Sequence, residues 1–355
     1  MAEMMKFGDF ASFRYGKMPI KKKITESGKY PIYSGYRYVG FYDEYNTEAD
    51  QLIIVARGVG GTGDVKLTKD RCYLTNLSIA ANIDSNVVLP EYLYYYFKPR
   101  SLRYLDSGSA QSQITISDLE RVMIPIPPLS EQKAICSYLK LLDGKIQNNK
   151  QINKNLEQQV SVLYQSWFED FEITNGVCPE NWSYQELSTI ADIASGKRPP
   201  VKSDTCNEKT PISIVGAASI MGFTSEANHT DKILVTGRVG THGVIQRFNT
   251  PCWTSDNTLV ITSLYYEFTN QILHRIDYES MNRGSTQPLI TQGDMKKVAV
   301  LVPDEDILAK FEEFAGSLMA KWEANNNENV KLASLRDTLL PKLMSGELDV
   351  SELDL

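Results

Sequence analysis

The most constraining feature of the chain is a pair of long amphipathic segments that repeat each other at a spacing of 176 residues. In each segment apolar side chains recur at alternating steps of four and three residues, which is the heptad spacing of a coiled-coil seam. The first seam includes Ile135, Leu139, Leu142, Ile146, Leu156 and Leu163. The second includes Phe311, Leu318, Trp322, Leu332 and Leu339. Because such a face needs a matching helix, the pattern predicts that the two helices pack together.

Each predicted helix begins after a proline segment, with Ser130 and Asp304 as the expected caps. A length of about 40 residues corresponds to about 60 Å. Each helix is preceded by its own globular region, so we expect an antiparallel pair that acts as a spacer. Both seams are interrupted by asparagines, Asn149 and Asn153 in the first and their counterparts in the second. These either fix the register of the pair or mark a weak, hydrated stretch of the contact.

The regions before the helices also repeat. Gly16-Lys17 recurs as Gly196-Lys197, and Cys72 recurs as Cys252, both at an offset of 180. Asp118 and Pro127 then recur at an offset of 176, so four residues are lost between Cys252 and residue 285. Collinear matches of this kind indicate two related lobes.

The chain therefore divides into five predicted segments. These are a first lobe (1–128), a first helix (129–172), a second lobe (173–303), a second helix (304–346) and a C-terminal tail (347–355). Apolar runs between glycine clusters predict strands at 51–55, 78–83, 232–235 and 258–262. Short helices are expected at 91–97 and 268–276, and the tyrosines of the first more often pack into a core than stack on bases. The predicted fold class is α+β, with two pseudo-repeated lobes separated by a pair of long antiparallel coiled-coil helices.

Composition excludes several classes of protein. The net charge of −7 argues against a uniformly basic DNA-binding surface, so a contact with DNA must be local or shared with partners. No run approaches the roughly 18 apolar residues of a membrane span, and we expect a cytoplasmic protein without a membrane contact. The five cysteines form no C-x-x-C pair, and the three histidines lack ligand spacing, so no metal site is predicted.

A glycine-rich loop beginning at Arg57 is either a tight turn or a loop that faces a phosphate. Its copy in the second lobe places Arg238 within one position of that arginine. Residue types that bond phosphates and base edges also recur elsewhere in both lobes. The candidate DNA-binding residues are Lys17, Lys22, Arg57, Thr62, Gln111, Gln113, Lys197, Arg198, Arg238, Thr241, His242, Arg247 and Gln287.

No catalytic residues are predicted. The chain has no Asn- or Asp-Pro-Pro-Tyr/Phe motif of an amino-methylating enzyme, and Pro303-Asp304 is not followed by the rest of a nuclease motif. The order of the three histidines implies no Ser-His-Asp arrangement.

Three segments resemble the specificity (HsdS) subunits of type I restriction-modification systems. They are PIPPLSEQK at 125–133, LYQSWF at 163–168 and LLPKLMSGEL at 339–348. The resemblance implies two target recognition domains that each read half of a split site in double-stranded DNA, and helices that dock two methyltransferase subunits. It implies no cofactor on this chain. S-adenosylmethionine belongs to the methyltransferases, and ATP and Mg²⁺ to separate restriction or motor subunits.

The second proline segment departs from the family pattern, since Pro303-Asp304-Glu305-Asp306 replaces the usual Pro-Leu-x-Glu-Gln. The chain is also short for the family. Both points leave open the specificity subunit of a type II-like system. A coiled-coil scaffold for protein interaction is the alternative from another class.

Overall fold

The computed structural model of the protein describes residues 2–35, 37–58, 61–106, 113–281, 283 and 289–349. The chain divides into two compact units. One comprises Met1–Asn149 with Asn326–Leu355, and the other comprises Lys150–Asn325. Each unit holds one globular lobe and one part of each long helix.

The lobe of the first unit is a mixed α+β structure. Its helices are α1 (Phe7–Phe10), α2 (Pro90–Phe97) and α3 (Ile116–Glu120). Its strands are β1 (Glu3–Lys6), β2 (Ala11–Tyr15), β3 (Tyr30–Ser34), β4 (Arg37–Tyr42), β5 (Leu52–Val55), β6 (Val65–Leu67), β7 (Tyr73–Leu74), β8 (Ser78–Ile83) and β9 (Met123–Ile126). They form sheets in the orders β2-β8-β5-β6, β4-β3-β7 and β1-β9, and every pair except β3-β7 is antiparallel.

A long helix, α4 (Leu129–Phe168), follows the first lobe. The second lobe then contains β10 (Ser183–Glu186), β11 (Asp192–Ser195), β12 (Ile212–Val215), β13 (Ile220–Thr224), β14 (Ile233–Gly237), β15 (Gln246–Phe248), β16 (Trp253–Thr254), β17 (Thr258–Thr262), α5 (Tyr266–Leu273), α6 (Gln292–Lys296) and β18 (Ala299–Val302). The chain continues into the second long helix, α7 (Glu305–Ser345).

The second lobe repeats the topology of the first strand for strand. Its sheets run in the orders β11-β17-β14-β15, β13-β12-β16 and β10-β18. The pairing register repeats as well, because Ser12 opposite Asn82 corresponds to Asp192 opposite Thr262 at an offset of 180. The predicted internal repeat is therefore confirmed.

The four residues that the second lobe lacks relative to the first belong to one loop. β8 ends at Ile83 and α2 begins at Pro90, whereas β17 ends at Thr262 and α5 begins at Tyr266. In the first lobe the longer loop is held by Gln132, which is fully buried. Its side chain accepts the amide of Leu89 at 2.9 Å and donates to the carbonyls of Val87 and Pro127 at 3.0 and 2.8 Å.

One predicted helix start agrees with the structure, and two differ from it. Asp304 caps α7, since its carboxylate accepts the amide of Ile307 at 3.2 Å. Ser130 is not the cap of α4, because the helix already begins at Leu129. α5 also begins two residues earlier than predicted, because the carboxylate of Glu312 accepts the amides of Glu267 and Phe268 at 3.1 and 2.8 Å.

The long helices are antiparallel within each unit. In the first unit, Arg336 bonds Asp143 at 2.6 Å and Asn149 donates to Asn329 at 3.1 Å. In the second unit, Trp322 donates to Glu157 at 2.7 Å and Asn325 donates to Asn153 at 2.8 Å. Residue numbers rise along one helix as they fall along the other, so the predicted antiparallel arrangement is confirmed. The seam asparagines form hydrogen bonds across the helix pair, as residues that fix the register do.

The predicted seam is buried to different degrees. The fully packed positions are Ile135, Leu139, Ile146, Leu156 and Phe311. The half-buried positions are Leu142, Leu163, Leu318, Trp322, Leu332 and Leu339. After Leu163, Leu318 and Leu339, the next residue along the chain is the buried one. These residues are Tyr164, Met319 and Leu340. An apolar stripe with a strict seven-residue repeat drifts around a helix that has 3.6 residues per turn. Toward their ends, the helices pack against the lobes as well as against each other.

Aromatic side chains fill the cores of both lobes. Tyr92, Tyr95 and Phe97 of α2 are buried, which confirms their expected place in the core rather than on bases.

In the described part of the chain, no helix combines the length and the apolar character that crossing a membrane requires.

Candidate nucleic-acid interface

The repeated Gly-Lys pair follows the first strand of each four-stranded sheet. The amide of Gly16 donates to the carbonyl of Ser78 at 3.0 Å, and the amide of Lys17 donates to that of Leu74 at 2.9 Å. A Cβ atom on Gly16 would lie 2.3 Å from the carbonyl oxygen of Thr75. Only glycine permits this close approach, which leaves the Lys17 side chain exposed beside the turn at 75–78.

The second lobe builds the same corner. Gly196 donates to the carbonyl of Thr258 at 3.1 Å, and Lys197 donates to that of Thr254 at 2.9 Å. A Cβ atom on Gly196 would lie 2.1 Å from the carbonyl oxygen of Ser255. The match between the lobes therefore extends to the atoms that place each lysine.

Arg57 follows β5 and lies against the same turn. Its amide donates to the carbonyl of Leu77 at 3.2 Å, and its backbone pairs with Gln113. A Cβ atom on Gly35, at the tip of the β3-β4 hairpin, would lie 3.4 Å from the carbonyl oxygen of Arg57. The structure thus brings Lys17, Arg57 and Gln113 to one end of the sheet, which we call the first sheet end.

Arg238 occupies the corresponding end of the second lobe, the second sheet end. Its amide donates to the carbonyl of Asn257 at 2.8 Å. His242 lies in the following loop, where its Nδ1 is 3.2 Å from the carbonyl oxygen of Gly237. Thr241 is exposed in the same loop.

Polar atoms at both ends are buried without a hydrogen-bond partner among the described residues. They are the Nε atoms of Arg57 and Arg238, the Nε2 atom of His242, the Oδ1 atom of Asn76 and the Oγ atom of Ser255. Buried polar atoms usually have partners, and clusters of exceptions call for an explanation. Sequence reasoning missed Asn76 and Ser255, although their turn recurs at the offset of 180.

The two arginines are not at equivalent positions. Arg57 pairs with Gln113, and the matching bridge in the second lobe joins Val239 to Leu289. Arg238 is therefore one residue before the counterpart of Arg57. Successive residues of an extended chain point to opposite sides, so the lobes present different side chains on the same framework.

Two of the predicted residues, Thr62 and Arg247, make hydrogen bonds within the first and the second lobe, respectively. Thr62 is buried, and its hydroxyl donates to the carbonyl of Gly58 at 2.9 Å. Arg247 makes two hydrogen bonds of 2.7 and 2.6 Å to Glu267, whose side chain is only 2% exposed. Burial lowers the pKa of Arg247, but the bonds to Glu267 outweigh it and raise the pKa above its ordinary value. Both side chains are therefore engaged within the fold.

The remaining predicted residues lie at the surface or outside the described residues. Lys17, Lys22, Lys197 and Arg198 are exposed, and Arg198 makes a loose 3.7 Å ion pair with Asp256. Gln111 and Gln287 lie outside the described residues.

The acidic excess of the chain is not in the lobes. Residues 304–355 contain five Lys and Arg against twelve Asp and Glu, whereas residues 1–128 contain sixteen against fourteen. The net charge therefore does not oppose a contact between DNA and the sheet ends. Among the described residues, no group of three or more His, Cys, Asp or Glu could hold a metal ion.

Comparison with known proteins supplies the class of the chain. A family model described as the type I restriction modification DNA specificity domain matches residues 2–158 and again residues 179–327. The fold is shared with the S subunit of the type I restriction-modification system from M. genitalium, at a TM-score of 0.66 and 21% identity, over 96% of this chain and 95% of that one.

Two curated relatives are named as specificity subunits of type I restriction enzymes. The MjaIX specificity subunit of Methanocaldococcus jannaschii is 27% identical over 321 residues, covering 79% of this chain and 74% of the relative. The HindI specificity subunit of Haemophilus influenzae is 22% identical over 368 residues, covering 75% and 79%. The chain belongs to the family of type I restriction-modification DNA specificity domains, which confirms the resemblance of its helical motifs.

Proposed function

We propose that the chain reads a two-part sequence in double-stranded DNA, with one half read by each lobe. The observation that carries the proposal is that two lobes with the same strand register present different polar side chains at the same end. The first sheet end presents Lys17, Arg57 and Gln113, and the second presents Lys197, Arg238 and His242. A shared framework docks on DNA in one way, and differing side chains then select different bases.

The residues divide by task. Lys17 and Lys197 are exposed at equivalent positions, so we assign them to phosphates, which carry no sequence information. Arg57, Arg238 and His242 differ between the lobes, so we assign them to the choice of bases.

We further propose that the long helices dock two methyltransferase subunits. Apolar side chains on their outer faces are exposed, with Leu141, Val330 and Leu335 in the first unit and Val162 and Phe314 in the second. Val330 and Leu141 are 70% and 61% exposed. Such side chains on otherwise polar helices mark surfaces that a partner covers.

In this proposal the chain does no chemistry and binds no cofactor. The methyltransferase subunits bind S-adenosylmethionine, and restriction or motor subunits use ATP and Mg²⁺. Sequence reading and methyl transfer are thereby separated between chains.

The test is methylation mapping by single-molecule sequencing of genomic DNA. Cells carrying the chain with its neighbouring methyltransferase are compared with cells lacking the chain. We expect one split motif whose methylation requires the chain. Methylation that does not depend on the chain would contradict the proposal and favour the scaffold alternative. A methylated motif without ATP-dependent cleavage would identify a type II-like system.

Point variants then test the two sheet ends separately. Arg57→Ala should relax or abolish reading of one half of the motif, and Arg238→Ala should do so for the other half, with a cost of about 1–3 kcal/mol per lost base contact. Arg121→Ala, at an exposed position after α3, is the matched control and should leave the motif unchanged. Unchanged motifs in both test variants would remove these arginines from the reading surface.

A further inference from the structure

One edge of the first lobe is more basic than its counterpart in the second. Residues 17–25 contain four lysines and no carboxylate. Lys21, Lys22 and Lys23 form a single 3₁₀ turn, and all three are exposed. Within the described residues, none of these three has an ion pair, although the chain as a whole is acidic. Adjacent like charges repel one another, so the turn carries a local positive potential that is not neutralised within the lobe.

The turn is fixed to the edge of the three-stranded sheet. The amide of Ile20 donates to the hydroxyl of Tyr42 at 3.3 Å, and Thr25 pairs with Phe41 of β4. A Cβ atom on Gly40 would lie 2.9 Å from Ile24, so the chain packs closely on the strand here. The three lysines are therefore held in place along β4 rather than on a free loop.

Two exposed residues of β4 extend this surface. Arg37 is exposed, and Tyr38 is 51% exposed, with its ring centroid 6.5 Å from that of Tyr33 and 5.5 Å from that of Phe41. They follow the hairpin tip at Gly35, which packs against Arg57. We call Lys21, Lys22, Lys23, Arg37 and Tyr38 the basic rim. It begins next to the first sheet end.

The second lobe is less basic at the equivalent positions, where it carries the exposed Arg198 and Lys202. The bridge of Thr25 to Phe41 corresponds to that of Ser203 to Phe223, and the segment before it, 197–203, is two residues shorter than 17–25. The register of the hairpin places Ile220 where the first lobe has Tyr38. By the same register, Ser219 replaces Arg37. The difference is one of chemistry on a shared framework.

We propose that the basic rim is a sequence-independent contact with DNA phosphates that is more extensive in the first lobe than in the second. The proposal rests on the proposed function, since it places DNA at the first sheet end. Lysine suits this task because its ammonium group is a point charge without the fixed geometry of base recognition. A tyrosine hydroxyl and an arginine at the rim can donate to the same backbone. The rim supplies affinity, and the sheet ends supply the choice of sequence.

The test uses the assembled complex of this chain with its methyltransferase subunits. The variant Lys21→Gln/Lys22→Gln/Lys23→Gln is compared with Lys209→Gln/Lys296→Gln/Lys297→Gln, which removes three exposed lysines from the second lobe. Dissociation constants are measured between 50 and 200 mM salt on DNA containing the methylated motif and on scrambled DNA. Methylation mapping is repeated for each variant, and circular dichroism verifies folding.

Each phosphate contact contributes about 0.9 to the slope of log affinity against log salt. The slope measured for the rim variant should therefore be shallower than that of the wild type by up to about 2.7. Over this fourfold range of salt, wild-type affinity should then fall roughly 40-fold more than that of the variant. The loss at low salt should be equal on both DNAs, and the motif should be unchanged. The control variant should match the wild type.

An unchanged slope in the rim variant would overturn the proposal and leave the proposed function intact. A loss confined to the motif-containing DNA, or an altered motif, would overturn it by showing that the rim reads bases. If the wild-type complex methylates no motif that depends on the chain, the proposed function fails, and the rim proposal fails with it.

Discussion

Replacement of Arg247 distinguishes a structural residue from a DNA contact. The guanidinium group bonds both carboxylate oxygens of Glu267, and the side chains of the pair are 11% and 2% exposed. It also lies 4.9 Å from the ring centroid of Tyr266 and 5.6 Å from that of Trp322. The variant Arg247→Met keeps much of the side-chain volume and removes the charge, which leaves Glu267 buried with Lys232 as its remaining cation at 3.6 Å.

The expected cost follows from the burial of the pair. Breaking a buried ion pair by removing one partner typically costs about 3–5 kcal/mol, because the other charge is left uncompensated. The second unit spans Lys150–Asn325, or 176 residues. For that size, each kcal/mol corresponds to roughly 2–4 °C in melting temperature. Arg247→Met should therefore lower the melting temperature by roughly 6–20 °C.

The double variant Arg247→Met/Glu267→Leu provides the control. Replacing both charges with apolar groups removes the uncompensated carboxylate, so stability should return to near that of the wild type. Differential scanning calorimetry measures the stability of each variant, and methylation mapping measures its motif. A stable double variant with the wild-type motif is the expected result. A single variant that is as stable as the wild type but loses the motif would show that Arg247 contacts DNA and does not stabilise the lobe.

Three further predictions concern buried polar groups. Gln132→Met should destabilise the first unit by about 3 kcal/mol or more, since three backbone groups lose their partner, and calorimetry tests this. The double variant Asn153→Leu/Asn325→Leu should raise the melting temperature of the second unit. It should also weaken the specification of the helix register, and disulfide crosslinking between introduced cysteines measures that register. Burial raises the pKa of Glu312 to about 7, so the folded state binds its proton more tightly than the unfolded state does. The wild type should gain stability relative to Glu312→Gln as the pH falls from 8 to 5.5, and parallel melting curves across that range would contradict this.

Features governed by periodicity and spacing could be predicted from the sequence. The heptad pattern of Ile135, Leu139 and Ile146 requires only that one helix face be apolar, and it identified the helices and their pairing. The offset between Gly16 and Gly196 marked a corner where backbone approach excludes any other residue. Such constraints act along the chain and leave a local signature.

Contacts between distant segments left no such signature. Arg247 looked like a free cation because its partner, Glu267, is twenty residues away in another element. The start of α5 was misplaced because its capping carboxylate belongs to Glu312, on the long helix α7. Burial and pairing decide whether a polar residue is available, and both depend on the folded structure.

If each lobe reads its own half of the DNA target, a lobe graft should change one half of the motif. Residues 183–302 would be replaced by residues 3–126, so that β1 and β9 take the places of β10 and β18, whose pairing they match. Genomic methylation by the grafted chain would then be mapped. We expect a new motif in which both halves are the half-site of the first lobe. Retention of the original motif by a folded, assembled graft would contradict it.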